Sequence, residues 1–406
     1  MDSRLAVRAA HAFDGERFLP GGALVLVDDG RVTAVEPGAA EVPTGWPLLE
    51  VPGATLLPGL VDAHVHLCCD SRGGALDRLA GHSEAEEADV IDMALRRQLA
   101  AGVTAVRDLG DRQFVTLGWR QRPGLPAVTV SGPPITVPEG HCWNMGGAVR
   151  GAGQIRAAID ERDQRGVDVV KIMASGGINT QGTDVAACQF PDPDLRLLVD
   201  LAHAANLPVT VHAHALPAVE QAIAAGADGI EHCTCLTAEG VRLSRPVLDR
   251  LAASRVVVCP TIGITPGSVP PERIREQLHR FGLSPESRAR DAATMAGAGV
   301  TLVSGGDSGI NEGKPHGLLP WSVLALVSAG VALEPALASA TSIASAACGF
   351  GTAKGRLRPG SDADLLLVDG DLAADPAVLT RPAAVVLRGV VVESSPNPSL
   401  SGSTSD

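Results

Sequence analysis

Gly59-Leu60-Val61-Asp62-Ala63-His64-Val65-His66-Leu67 reads as a short, mostly apolar strand that ends in two histidines. Such a run suits a strand of a parallel sheet covered on both faces. The i, i+2 spacing of His64 and His66 places both imidazoles on one face of the strand end. Neutral imidazole is the commonest side-chain ligand for zinc-like ions. The pair is therefore either the start of a metal site or two polar residues where a strand meets its loop.

Seven further apolar runs follow: GVTAVRDLG (102–110), PAVTVSG (126–132), VDVVKIMAS (167–175), LPVTVHAHA (207–215), ADGIEHC (227–233), RVVVCPT (255–261) and GVTLVSGGDSG (299–309). Segments of helical period separate them, as in Pro193 to Ala205, where Leu195, Leu198, Val199 and Ala202 recur at helix spacing. Alternation of this kind predicts a parallel barrel, which needs about 250 residues. The stretch from Gly59 to Gly349 supplies them.

Both chain ends have a different texture. ALVLVDDGRVTAVEP carries an Asp29-Gly30 hairpin signal, and DLLLVD and AAVVLRGVVVES, with a turn at Arg388-Gly389, repeat the strand pattern near the end. The expected fold is α/β: a (β/α)8 TIM barrel over 59–349, with a small β-sandwich-like domain built from 1–58 and 350–394. The polar tail, 395–406, is expected to be disordered.

Composition narrows the function. With 33 basic and 46 acidic side chains, the net charge of −13 argues against a nucleic-acid partner. No run is long and apolar enough for a membrane span, and the first residues lack a signal peptide's apolar stretch, so a cytoplasmic protein is expected. The eight cysteines form no CxxC pair and read as reduced, mostly buried thiols. There is no tyrosine, so no phenol serves as acid, base or oxyanion donor.

Ionisable residues recur where the other runs end: Lys171, His212, His232 and Asp307. In a barrel these are the positions that face the active site. A charged, unpaired Lys in an apolar strand would cost several kcal/mol. It is tolerable if neutral, paired, or carbamylated by CO2 into an anion able to bridge two cations.

These residues resemble the amidohydrolase superfamily, whose pattern is His-x-His on the first strand, a carboxylated Lys on the fourth, one His each on the fifth and sixth, and Asp on the eighth. PGLVDAHVHL, KIMASGGI, GIEHC and KGRLRPGSDADLLLVDGD extend the likeness. The branch it looks most like is the imidazolonepropionase-like group that includes Xaa-Pro dipeptidases and carboxypeptidases. The resemblance implies two divalent metal ions, with zinc expected: His64, His66 and Asp307 on one, His212 and His232 on the other, and carboxylated Lys171 between them. It also implies a bridging hydroxide as nucleophile and Asp307 as the proton shuttle.

The implied reaction is hydrolysis of a C–N bond in a small amide, peptide or N-acyl compound. Cyclic-amide hydrolysis or heterocycle deamination is the alternative, and a metal-free binding scaffold is the alternative of another class. His141, in a Gly-His after the third strand, is the expected oxyanion donor and substrate contact. His214, Cys235 and His316 are expected at the substrate pocket, with Cys235 standing where peptide-cleaving relatives carry a tyrosine. Arg107 and Asp108 read as a buried ion pair bracing the site or as a carboxylate binder. A homo-oligomer is expected.

Overall fold

The computed structural model describes residues 4–394 and 399–401. Parallel strands Leu60–Val65, Val103–Asp108 and Ala127–Val130 pair in order, as do Val170–Met173, Val209–Ala215, Gly229–Thr237 and Val257–Cys259. The two groups join where the Asp168 N–H donates to Val130 and the Ile135 N–H donates to Lys171. On the other side, Val258 pairs in parallel with Leu302, and the Ala63 and Asp307 N–H groups donate to the carbonyls of Ser304 and His64. These bonds close a ring of eight segments.

The eighth segment differs from the expected strand. It pairs at Leu302 and then leaves the extended form, because Gly305 and Gly306 precede Asp307, whose φ is +52°. Gly305 packs so tightly that a Cβ there would lie 2.7 Å from Cys259 Sγ and 2.8 Å from both the backbone N and the Cβ of His64. Its bare backbone lets Asp307 approach the first strand.

Alternation along the strands decides what faces inward. Val170 and Ile172, like Val209, Val211 and Ala213, join the apolar core, which includes buried Leu195, Leu198, Val199 and Ala202 of helix Asp192–Ala204. Lys171, Met173, His212 and His214 take the opposite face and line the cleft.

Strands from both ends of the chain build two further sheets. Leu48–Glu50, Leu5–Ala9, Ala23–Asp28 and Arg31–Pro37 lie in one; Pro382–Leu387, Leu365–Val368, Thr55–Pro58 and His11–Phe13 lie in the other. Val7, Val25, Leu49, Leu56, Leu367 and Val386 pack in a common core. The turns at Asp29-Gly30 and Arg388-Gly389 both use left-handed backbone, with φ of 47° and 71° in the first and 48° and 80° in the second. Of the tail, Ser399–Ser401 pairs antiparallel with Leu48–Glu50, while 395–398 and 402–406 lie outside the described residues. Among the described residues no helix is long and apolar enough to cross a membrane.

Gly305→Ala is expected to cost about 1–3 kcal/mol in chemical denaturation, the usual penalty for overpacking. Gly297→Ala, at the end of helix Pro285–Gly297 with nothing within 4 Å of the new methyl, should be neutral or slightly stabilising.

Candidate metal centre

Among the described residues three groups of ligand-type atoms form, one of them His64, Glu231 and Cys259, and the other two lie in the cleft where the strands end. His64, His66 and Asp307 make one, and His212, His214 and His232 the other, each with its ligand atoms within 4.8 Å of one another. In the first, the Nε2 atoms of His64 and His66 are 3.3 Å apart and lie 3.4 and 3.3 Å from Asp307 Oδ1. In the second, the His212 and His232 rings are 4.6 Å apart, and those of His214 and His232 stack at 4.5 Å. His214, expected as pocket lining, thus also stands among the potential ligands.

Hydrogen bonds fix which nitrogen each ring has available. His64 Nδ1 donates to Glu231 Oε2 at 2.7 Å, and His66 Nδ1 donates to the Gly110 carbonyl at 3.3 Å, which turns Nε2 of both rings toward Asp307 Oδ1. His232 Nδ1 bonds Thr261 Oγ1 at 2.7 Å, and His214 Nδ1 bonds Thr234 Oγ1 at 2.8 Å. His212 is reversed: its Nε2 donates to the Gly176 carbonyl at 3.1 Å, so Nδ1 keeps the lone pair. Burial holds His212 and His232 far below the ordinary imidazole range and lowers His214 to about 3. All three are therefore neutral at pH 7 and able to act as ligands. Burial would raise Asp307, but the charges of His64 and Lys314 and a hydrogen bond from His66 hold it below the usual carboxylate range.

Lys171 is 1% exposed, and its Nζ has no hydrogen-bond partner. Burial lowers its pKa, and its charge acts on His64, His212 and His232, members of both clusters. An orphaned amine beside buried imidazoles and a carboxylate is a donor set that fits divalent cations.

Glu231 was not singled out from the sequence. Besides His64, it accepts from Arg107 Nη2 at 3.0 Å and Thr210 Oγ1 at 2.6 Å. Burial would raise Glu231, but His64 and Arg107 hold it ionised. Arg107 therefore pairs with Glu231 and not with Asp108, whose carboxylate accepts the N–H groups of Leu67 and Gly110. Strict alternation would turn Glu231 away if His232 faces the site. The left-handed backbone of His232, φ +70°, breaks the alternation and brings both inward.

His141 lines the cleft, its Nδ1 2.7 Å from Thr180 Oγ1 and its backbone N–H donated to Gln189 Oε1 at 2.6 Å. It lies over Gly177, where a Cβ would come within 2.3 Å of its Nε2. Two expected pocket residues are not part of the cleft wall. Cys235 is fully buried in the core, its thiol directed to the Cys233 carbonyl at 3.6 Å, and Thr234 faces the cleft in its place. His316 is also buried, with Nε2 bound to the Cys69 carbonyl at 2.9 Å. The cleft holds about 1160 Å3 of atom-free space including its open mouth.

Residues 55–392 match the model of the Amidohydrolase family. The chain belongs to that family. An uncharacterized protein of Mycobacterium tuberculosis is 30% identical over 345 residues, which take in 83% of this chain and 85% of that one. Ochratoxinase of Aspergillus niger is 26% identical over 407 residues, 92% of this chain and 82% of the enzyme. A crystal structure of a Xaa-Pro dipeptidase with methionine in its active site has the same fold, with a TM-score of 0.82 at 22% identity over 96% of this amidohydrolase and 99% of that chain.

Glu231→Gln keeps the shape but weakens the acceptor that orients His64. Competition with a chelator should report a loss of about 10–100-fold in metal affinity, the usual effect of removing such a support. Unchanged affinity would assign Glu231 to packing alone.

Proposed function

We propose that this amidohydrolase hydrolyses the C–N bond of a small amide, a peptide or an N-acyl compound. The observation that carries the reading is that both clusters and the partnerless Nζ of Lys171 line one cleft. His64, His66 and Asp307 would hold one divalent cation and His212 and His232 the other, zinc being the expected metal, with carboxylated Lys171 between them. Such a pair, when bound, supplies a water acidic enough to attack at neutral pH and a Lewis acid for the scissile carbonyl.

The chain's own residues do the rest. Asp307, kept ionised by its neighbours, accepts a proton from the attacking water and passes it to the leaving nitrogen. His141 stays neutral, since burial lowers it to about 3, and its Nδ1 is tied to Thr180. A protonated Nε2 then donates to the oxygen on which negative charge develops. Apolar walls from Ile262, Ile264 and Leu283 exclude water from the reacting groups.

A panel of dipeptides, N-acyl amino acids and cyclic amides, assayed with and without added metal, tests the reaction class. Turnover should require metal and fall on linear amides; turnover confined to cyclic amides or heterocyclic amines would replace this reading with the alternative. Asp307→Asn should lower kcat by about 10²–10⁴. Loss of metal in step with the rate would make Asp307 a ligand without a shuttle role. His141→Ala should lower kcat by about 10²–10³ at unchanged metal content. A rise in KM alone would move it from transition-state stabilisation to uniform binding.

A further inference from the structure

Most polar groups of the cleft wall are already engaged. Lys314 Nζ is held 2.7 Å from the Thr261 carbonyl and 2.9 Å from the Gly306 carbonyl. Arg288, on helix Pro285–Gly297, gives Nη2 to the carbonyls of His232 at 2.6 Å and Pro260 at 3.2 Å, and its Nη1 is sealed from the cleft. Thr234 and Thr261 hold His214 and His232.

Asn311 is different. It is 8% exposed and lines the cleft. Its Oδ1 accepts the Gly313 N–H at 2.9 Å, and since that N–H can only donate, the other amide atom is the NH2 group. Among the described residues Nδ2 meets no hydrogen-bond acceptor, yet it is not sealed as Arg288 Nη1 is. The turn that carries it is pinned: the Lys314 N–H donates to the Asn311 carbonyl at 2.9 Å, the Gly309 N–H to Lys314 at 2.7 Å and the Thr265 N–H to Gly313 at 3.1 Å. Gly313 leaves little room, since a Cβ there would meet Asn311 Oδ1 at 3.2 Å and Ile264 at 3.3 Å. A donor held this firmly without an acceptor is preorganised for one on a ligand. The amide also stands at a threshold. A side chamber of about 640 Å3, its opening included, lies between Gly74–Asp77 and the first turn of helix Glu272–Arg280. Leu76, Asn179, Ile274, Ile310 and Asn311 line both the chamber and the cleft. Its two charged lining residues, Asp77 and Arg273, are exposed and of opposite sign. An uncharged donor in such surroundings suits a neutral oxygen, whereas a carboxylate would be desolvated without a counter-charge.

We propose that the side chamber is a second subsite, which takes the amine portion of the substrate beyond the scissile bond, and that Asn311 Nδ2 donates there to a neutral carbonyl oxygen. This rests on the amide-hydrolase reading above. Asn311 lies on the turn that follows Asp307, the group that on that reading hands a proton to the leaving nitrogen, and this assigns the chamber to the amine side. The substrate class is an N-acyl amine whose amine carries an uncharged ketone, ester or amide carbonyl. Branched apolar carbon beside that carbonyl fits Ile274 and Ile310.

The test compares N-benzoyl-2-aminoethyl isobutyl ketone with the same molecule in which CH2 replaces the ketone carbonyl. The metal-loaded enzyme should favour the ketone by about 10-fold in kcat/KM, the scale of one neutral hydrogen bond. Asn311→Asp keeps the acceptor for Gly313 and loses the donor, so the ratio should fall to one or below; Asn311→Ala, which lacks both, should bring it to one. Calorimetry with Asp307→Asn enzyme should show the same preference in binding, lost when Asn311→Asp is added. Ala75→Leu narrows the chamber without touching the cleft wall and should raise KM for the ketone but not for N-methylbenzamide, whose amine is too short to reach it. An unchanged KM for the ketone overturns the subsite. If both Asn311 variants slow the two compounds equally and keep their ratio, the residue only braces its turn and the proposal falls. Equal hydrolysis of the two by the unaltered enzyme also overturns it while leaving amide hydrolysis intact. Failure to cleave either compound or any other linear amide removes both readings.

Discussion

A primary amine buried without an acceptor, Lys171 Nζ, is the constraint around which the rest of the site is arranged. Left charged in an apolar barrel it would cost far more than a surface ion pair returns. Burial drives the amine toward its neutral form, and a neutral amine is the form that combines with CO2. On the reading proposed above, the anion so made is stabilised by cations that the surrounding imidazoles hold. The amine and the imidazole clusters thus explain each other, and neither makes sense as packing alone.

The barrel contributes rigidity in specific places. Arg107 on the second strand, Glu231 on the sixth and His64 on the first form a chain of buried contacts at 3.0 and 2.7 Å across the barrel interior. It fixes the tautomer of His64 and ties three strands together. Threonine hydroxyls, which can donate or accept, hold the rings of His141, His214 and His232 in place without fixing their tautomers. Left-handed backbone clusters at the same level, at His232, Thr261 and Asp307, where each residue forgoes roughly 1–2 kcal/mol to aim its side chain.

Much of this was legible in the sequence because period-two alternation places polar residues at strand ends on a predictable face. His64, His66, Lys171, His212, His232 and Asp307 follow that rule or end a run, and the structure brings them together. Glu231 was hidden by the same rule, since a left-handed residue beside it breaks the alternation. Cys235 was misplaced for that reason too, and Thr234 took the cleft position. The Arg107–Glu231 pair joins residues 124 apart in sequence, which no local pattern encodes. The eighth strand was readable as an apolar run, but its glycines interrupt the pairing between Leu302, beside the seventh strand, and Ser308, beside Val65 of the first. The proximity of Arg288 to the site depends on how a helix between the last two strands packs, which a single sequence does not reveal.

The most direct test is to load the protein with divalent metal in 13C-labelled bicarbonate and record its carbon NMR spectrum alongside metal analysis. The account predicts a slowly exchanging carbamate resonance and two metal ions per chain. It predicts that Lys171→Ala lacks the resonance, loses nearly all turnover and regains part of it when short carboxylic acids are added. An unaltered protein without the resonance, together with a Lys171→Ala protein that keeps full metal and full rate, would contradict it.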